Sequence, residues 1–524
     1  MIRTKKSLLF LVVLVLSLTL VSCKKPVEEK IPDSFKYADN YENIYQVFVR
    51  SYADSNNDGI GDFKGLEAKL NYIKDLGFTA IWLMPIHPSP SYHGYDVTDY
   101  YNVNPDFGSL DDFKSLLKTS DELDIDIYID FVVNHSSNEH PWFKAALNGD
   151  AKYKNYYRLS NNSTSNYWRG KLGGGYYYAY FSETMPDLNL SNQAVIDEIN
   201  QISKFWIDMG VDGYRLDGAL HYFRLDELNS QLGSYTFSGV SFIDQLSTYA
   251  RSINPDFNII VEAWDTSPIG VAQTFRTHAS PIDFTTSDII CSTAQTVTAS
   301  NFFYQLESAY KEYAKYDKEY VPVPFLKNHD MNRLASWAGF EKIETQKFAA
   351  EILFSLPGSP IVYYGEELGM KGIRAEGKNG QYDETVRLPY VFGDSYETSW
   401  VKDFNNYNKS IENVSEQLAD ANSLLNTYKK LLVLRNNNIA LKYSNNFVKH
   451  PSATHQLLAY TRTATYNNQT QTVLVIHNVS RSALNMIDCQ GTVLYSSNGA
   501  TSLEQLKQIP GKSTVIIDIT GGNK

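Results

Sequence analysis

The 524-residue chain is too long for one average domain and long enough to bury a large core. Its net charge of −12, with no basic block, argues against nucleic acid as a partner. Tyrosine outnumbers tryptophan 38 to 7. Tyrosines that line a groove suit flat, hydroxyl-rich ligands, but most are expected to fill the core and carry their hydroxyls to its rim.

The chain opens with a basic stretch, "MIRTKK", an uncharged apolar run, "SLLFLVVLVLSLTLVS", and Cys23. The run is slightly short for a membrane span and has the proportions of a secretory leader. "LVSC" resembles the bacterial lipoprotein signal, which implies a signal peptide over 1–23 with Cys23 as the lipidated residue. The alternative is an uncleaved anchor helix. Either way the expected location is extracytoplasmic, tied to the membrane. Residues 24–36 read as a polar tether. Cys291 and Cys489 lie in no metal-ligand spacing; a disulfide between them is open but unsupported.

From residue 37 a short apolar or β-branched run repeatedly leads straight into polar chemistry. "NIYQVFVRSY", "FTAIWLMP", "DIDIYIDFVV", "VDGYRL", "FNIIVEAW", "PVPFLKNHD" and "SPIVYYGEE" behave this way, with helix-like stretches such as "VIDEINQISKFWIDMG" between. Strands alternating with helices predict a parallel sheet, and seven or eight such units predict a (β/α)8 barrel over 37–435. The active site is then expected where the strands end. The rhythm breaks over 136–186, a Tyr-, Asn- and Gly-rich stretch read as a small subdomain inserted after strand 3. From 436 to 524 the pattern becomes purely β, predicting a C-terminal antiparallel sandwich.

Three carboxylates end predicted strands: Asp217 in "GYRLDGALH", Glu262 in "IIVEAWD" and Asp330 in "FLKNHD". Singly each could cap a helix or pair with an arginine. Together they converge on the mouth of one barrel. With "DFVVNH" at 130–135, "MPDLN" at 185–189 and "HGYD" at 93–96, all in order, the chain resembles the α-amylase family of glycoside hydrolases.

The resemblance implies that Asp217 is the nucleophile, Glu262 the acid/base, and Asp330 the acid that holds sugar hydroxyls and favours ring distortion. The chemistry explains the residue types: a retaining enzyme needs a nucleophilic carboxylate and a proton-donating one about 5 Å apart. Arg215, two residues before Asp217, projects to the same face and should keep it ionised. Glu262 needs a raised pKa, from partial burial and negative neighbours. His135 and His329 match histidines that bond the sugar being cleaved, and Tyr95 matches its stacking partner. Trp264 is a candidate apolar wall. Asp96 and Arg333 are considered for closing the pocket at the non-reducing end without being assigned to it. Glu366 and Glu367 are read as structural.

Two departures from the family pattern concern specificity. Leu220 and His221 stand where many α-amylases carry Lys-His on the leaving-group side; His221 remains a candidate sugar contact. "MPDLN" is intermediate between oligo-1,6-glucosidase-like and neopullulanase-like versions. The expected substrate is an α-1,4-glucan such as starch, glycogen or maltooligosaccharides, cleaved endo by a monomer. Exo-acting α-glucosidases and glucanotransferases share every catalytic residue. A non-catalytic glucan-binding lipoprotein is the alternative of another class.

"DSNNDGIGDFKG", residues 54–65, alternates oxygen donors in the manner of a Ca²⁺ loop: Asp54, Asn56, Asp58, the Ile60 carbonyl and Asp62. Gly65 occupies the place of the EF-hand glutamate, so this is no EF-hand. It resembles the Ca²⁺ loop after the first barrel strand of oligo-1,6-glucosidase-like members; a metal-free Asx turn is the alternative. A second Ca²⁺ site is implied by the resemblance at Asn134, Asp187 and the His221 carbonyl.

Overall fold

The computed structural model describes residues 41–170, 175–223, 237–375, 383–401 and 406–521. The expected signal peptide with Cys23 and the expected tether lie outside the described residues. Among the described residues no helix is long and apolar enough to cross a membrane.

Seven strands form one parallel sheet. In chain order they are Ile44–Val47, Ala80–Leu83, Asp126–Phe131, Gly213–Leu216, Asn258–Val261, Ser280–Pro281 and Ile361–Tyr363, with the last paired to the first. The remaining gap is bridged by "VPVPF", where Val323 pairs with Ile282 and Phe325 with Ile361, both parallel. The sheet therefore closes into the expected (β/α)8 barrel. Prolines 322 and 324 have no N–H to give, so the seventh staff is reduced to single bridges. Their carbonyls still accept from Ser359 and Ile361 at 2.8 and 2.9 Å.

Strand alternation sorts the side chains into two cores. Outward residues pack with the helices. Inward ones, including Ile44, Ala80, Trp82, Tyr128, Ile260, Val323, Phe325 and Ile361, fill the barrel. At the bottom Gly213 is obligatory: a Cβ there would lie 2.4 Å from the Tyr128 ring. Following the same inward parity up strand 4 leads from Gly213 to Arg215 to Asp217. On strand 5 it leads from Ile260 to Glu262. The register that buries the barrel core thus also aims the chemistry at its upper rim.

The insertion after strand 3 holds a helix, Pro141–Leu147, and a three-stranded antiparallel sheet with Tyr176–Tyr178 between Leu159–Ser160 and Trp168–Gly170. Tyr156, Tyr157, Tyr177 and Tyr178 are buried in it and serve as its core. Bridges His135–Asp187 and Tyr157–Leu188 bind its ends to the barrel.

After helices Leu424–Asn436 and Ile439–Lys442, a five-stranded antiparallel sheet forms, ordered Val448–Lys449, Leu457–Tyr466, Gln469–Asn478, Ser513–Asp518 and Thr492–Ser496. Its hairpin turns on Asn467 and Asn468, both left-handed, at φ 48° and 62°. One face packs Leu458, Tyr460, Val475 and Ile516 against the barrel. The other packs Leu474, Ile476, Val515 and Ile517 against Ile487, Leu506 and Ile509, which lie in and around a small two-stranded sheet. Buried Arg435 and Arg462 rivet the two domains. Both donate to the Leu356 carbonyl, and between them they also reach those of Phe354, Ser355 and Leu441, at 2.9–3.1 Å. Ser355 and its neighbours end a helix, whose last carbonyls need such partners. Cys291 and Cys489 are both free thiols, so no disulfide joins them.

Candidate active site

The C-terminal ends of the strands open into a cleft of about 680 Å³. Asp217, Glu262 and Asp330 all line it, with Tyr95, His135, His221 and Trp264 around them. The chain thus brings its three predicted acids and these four predicted partners to one space.

Arg215 organises the floor. It is fully buried beneath the cleft, and one terminal nitrogen lies 2.9 Å from Asp130 and 2.7 Å from Asp217. The other lies 2.8 Å from Glu262. Trp82 covers the guanidinium with its ring. Asp217 and Glu262 are therefore held on the two terminal nitrogens of one rigid fork, the close pairing that a retaining reaction needs. Arg215 touches these carboxylates and does not itself line the cleft.

The two ends of the acid set differ in charge. Burial pushes the Glu262 carboxyl up to about 8; the charges of Asp217 and Asp330 add to this, and Arg215 opposes it without prevailing. Glu262 thus keeps its proton near neutral pH while its Oε2 accepts the Gly218 N–H at 2.8 Å. Burial also opposes ionisation of Asp330, but His329, Arg387 and Arg215 together hold its carboxyl well below the usual range. Arg387 contacts it at 3.1 Å and reaches Asp383 at 3.2 Å. One carboxyl is set to donate a proton and another to stay charged, as acid–base chemistry requires.

The remaining predicted residues fall into two layers. Tyr95 donates to or accepts from His329 Nε2 at 2.7 Å, and the two rings stack. His329 also lies 3.0 Å from Asp330, and its Nδ1 meets Gln46 at 2.7 Å. With no exposed surface, His329 orients Tyr95 and Asp330 from behind. His135 does face the cleft, its Nε2 3.2 Å from the Tyr95 carbonyl and its ring against Phe181. His221 is packed between Tyr180 and Phe181. Trp264 lines the cleft, is 44 % exposed and stacks on Phe284.

Asp96 and Arg333 do not reach the cleft. Asp96 accepts from Ser89 and Ser91, and Arg333 donates to the Val386 and Tyr364 carbonyls. The charged wall there is built instead by Arg387, Asp383 and Arg374, the last two 2.6 Å apart. Sequence reasoning missed these three, along with Asp130, Gln46 and Phe181. Asp130 carried a signal, since it opens the quoted "DFVVNH". Glu366 and Glu367 are buried away from the cleft, accepting from Tyr428 and from Tyr45 and Tyr390, which is a structural role.

Among the described residues no group of three or more His, Cys, Asp and Glu side chains forms a metal cage. The 54–65 loop nevertheless gathers hard oxygen donors. Asp54 accepts from Asn56, Asn57 and Gly59, Asn56 from Asp58, and Asp58 from Ile60. These bonds curl the loop on itself, the side chains of Asp54, Asn56 and Asp58 each accepting a backbone N–H two or more residues further on, and the oxygens present are of the hard type that Ca²⁺ takes. Asp62 has a second task, since it caps helix Phe63–Leu76 through the Gly65 N–H at 2.7 Å. Asn134 and Asp187 lie on bridged segments, and Asp187 accepts the N–H of Tyr180, whose ring packs on His221.

A barrel whose rim presents two carboxyl groups on one guanidinium, one of them pushed up by burial, and a third fixed by a second arginine defines an enzyme that cleaves glycosidic bonds. Comparison with known proteins agrees. The family model described as "Alpha amylase, catalytic domain" matches residues 46–444. Alpha-amylase 3 of Dictyoglomus thermophilum is 37 % identical over 495 residues, covering 91 % of this chain and 94 % of that protein. A 4-alpha-glucanotransferase of Thermotoga neapolitana is 36 % identical, covering 63 % of this chain and 72 % of its own. The crystal structure of alpha-amylase from H. orenii superposes with a TM-score of 0.79 at 32 % identity, covering 92 % of this chain and 99 % of that one. The chain belongs to the α-amylase family of glycoside hydrolases.

Proposed function

We propose that this protein hydrolyses internal α-1,4 bonds of starch-like glucans with retention of configuration. The observation that carries the reading is the pairing of Asp217 and Glu262 on one guanidinium, with Glu262 held protonated. A glucosyl unit stacks on Tyr95 and bonds His135 and Asp330 through its hydroxyls. Asp217 attacks the anomeric carbon as Glu262 protonates the leaving oxygen, giving a covalent glycosyl-enzyme and a free chain end. Glu262, now ionised, takes a proton from water as that water attacks the same carbon, which frees Asp217. Arg215 stabilises the anion on Asp217 before attack and on its release. The presence of all three acids disfavours a purely binding role.

A glucanotransferase is the second reading. It is favoured by Phe181 and Trp264, two exposed aromatics lining the cleft that could hold an acceptor sugar, and by the name of the Thermotoga relative. Ca²⁺ at Asp54, Asn56, Asp58, the Ile60 carbonyl and Asp62 would fasten the loop that follows strand 1, supplying charge to a turn rather than to the reaction. A second ion would join insertion to barrel at Asn134, Asp187 and His221. The protein is proposed to be a monomer carried outside the cytoplasm and anchored through lipid on Cys23.

Starch incubation tests the reading, with the Asp217→Asn protein as control. The wild type should release reducing ends and shorten the polymer before glucose accumulates. Equal release by both proteins would contradict it, and glucose from the outset with intact polymer would replace endo by exo action.

A further inference from the structure

The cleft accounts for Trp264 and Phe181, but one more tryptophan shows its ring to solvent close by. Trp337 is 38 % exposed and is not part of the cleft wall. We propose that Trp337 is an outer glucosyl-binding platform, stacking a distal unit of an α-glucan chain that leaves the cleft over Arg374. This rests on the reading of the cleft as an α-glucan site.

The indole is fixed at every polar atom it owns. Its backbone N–H donates to the Leu334 carbonyl at 2.9 Å, and its carbonyl accepts from Phe340 at 2.9 Å. Its Nε1–H donates to the Asn332 carbonyl at 2.8 Å. Beneath the ring the Lys327 ammonium sits 3.5 Å from the centroid, and Lys327 is itself buried. The underside of the indole is therefore occupied, and the exposed part has no polar group left to satisfy. A large aromatic surface held this way binds with little further loss of side-chain freedom.

The platform is joined to the cleft by direct bonds. Asn332, which holds the indole N–H through its carbonyl, accepts the Arg374 N–H through its side chain at 2.8 Å. Arg374 lines the cleft and pairs with Asp383, which in turn pairs with Arg387 beside Asp330. Ser336, next to Trp337, accepts the Gly372 N–H at 2.9 Å, which ties the loop after strand 7 to the loop after strand 8. A chain bound at Asp330 and running along this charged ladder meets Trp337 next. The apolar face of a glucose ring fits the indole, while its hydroxyls stay in water.

The test compares long and short ligands. In the non-hydrolysing Asp217→Asn background, titration calorimetry with maltoheptaose and maltotriose is run with and without Trp337→Ala. Affinity for maltoheptaose should fall on the order of tenfold, a change of about 1.4 kcal/mol, while maltotriose changes less than about twofold. Trp337→Tyr should restore most of the loss, and melting temperatures should agree, which separates stacking from misfolding. In the active protein the same substitution should raise KM for amylose. Equal affinity of both proteins for maltoheptaose, or an equal loss for both ligands, would overturn the platform alone. Failure of the wild type to cleave starch would instead overturn the reading of the cleft.

Discussion

Asp217 and Glu262 are bonded to opposite terminal nitrogens of the Arg215 guanidinium, at 2.7 and 2.8 Å. The nucleophile and the acid are thereby spaced by a rigid planar group instead of by two flexible side chains. Lysine cannot reproduce that fork, because its ammonium is a single point charge. Arg215→Lys should lower kcat/KM by on the order of 100-fold or more, with a smaller effect on KM, as expected when preorganised electrostatics are lost. Steady-state kinetics on a soluble maltooligosaccharide checks this, and a variant within a fewfold of wild type would show that the fork is dispensable.

Because burial raises the Glu262 carboxyl to about 8, the proton needed for leaving-group departure is present below that pH and lost above it. The alkaline limb of kcat/KM should therefore fall near pH 8. Glu262→Gln should remove nearly all turnover of glucans while a substrate whose leaving group needs no protonation, such as a glucosyl fluoride, is still attacked by Asp217. An alkaline limb that persists unchanged in Glu262→Gln would assign it to another group.

Arg462 supplies the Ser355, Leu356 and Leu441 carbonyls with donors from a fully buried position. Arg462→Met fills much of the volume but removes the donor to the Ser355 and Leu441 carbonyls, while the Leu356 carbonyl keeps the one from Arg435. It should cost about 2–4 kcal/mol in denaturant-induced unfolding. It should not change kcat for molecules that remain folded, since none of these groups lines the cleft.

Chelation is expected to lower the melting temperature more than it lowers turnover at low temperature, because the 54–65 loop contributes nothing to the cleft wall. Asp58→Ala should reproduce the effect of chelator and abolish its further action, Asp58 being exposed and bonded only within the loop. An unchanged melting curve with chelator would make the stretch a self-bonded Asx turn.

The architecture was legible because barrel strands repeat a pattern, and because inward parity is counted in twos: once Arg215 and Asp217 share a strand end, their common face follows. The seventh staff was recognised from "PVPFLKNHD", yet its alternate prolines reduce it to two bridges, which apolarity alone does not reveal. Arg374, Asp383 and Arg387 escaped notice because they come from the long connection after strand 8, where no periodicity says which charges turn inward. Asp96 and Arg333 looked equivalent to them as charges near motifs; only local partners, serine hydroxyls for one and carbonyls for the other, consume them. His329 sits in its motif as expected, but packing against Gln46 and Tyr95 places it behind the surface it was expected to form.

The most direct test of the central claim is the anomeric configuration of the first product. Proton NMR of amylose or maltoheptaose digested by the wild-type protein, recorded before mutarotation, should show the new reducing ends as the α anomer, with no signal from Asp217→Asn. New reducing ends appearing first as the β anomer would contradict the covalent, retaining mechanism built on Asp217 and Glu262.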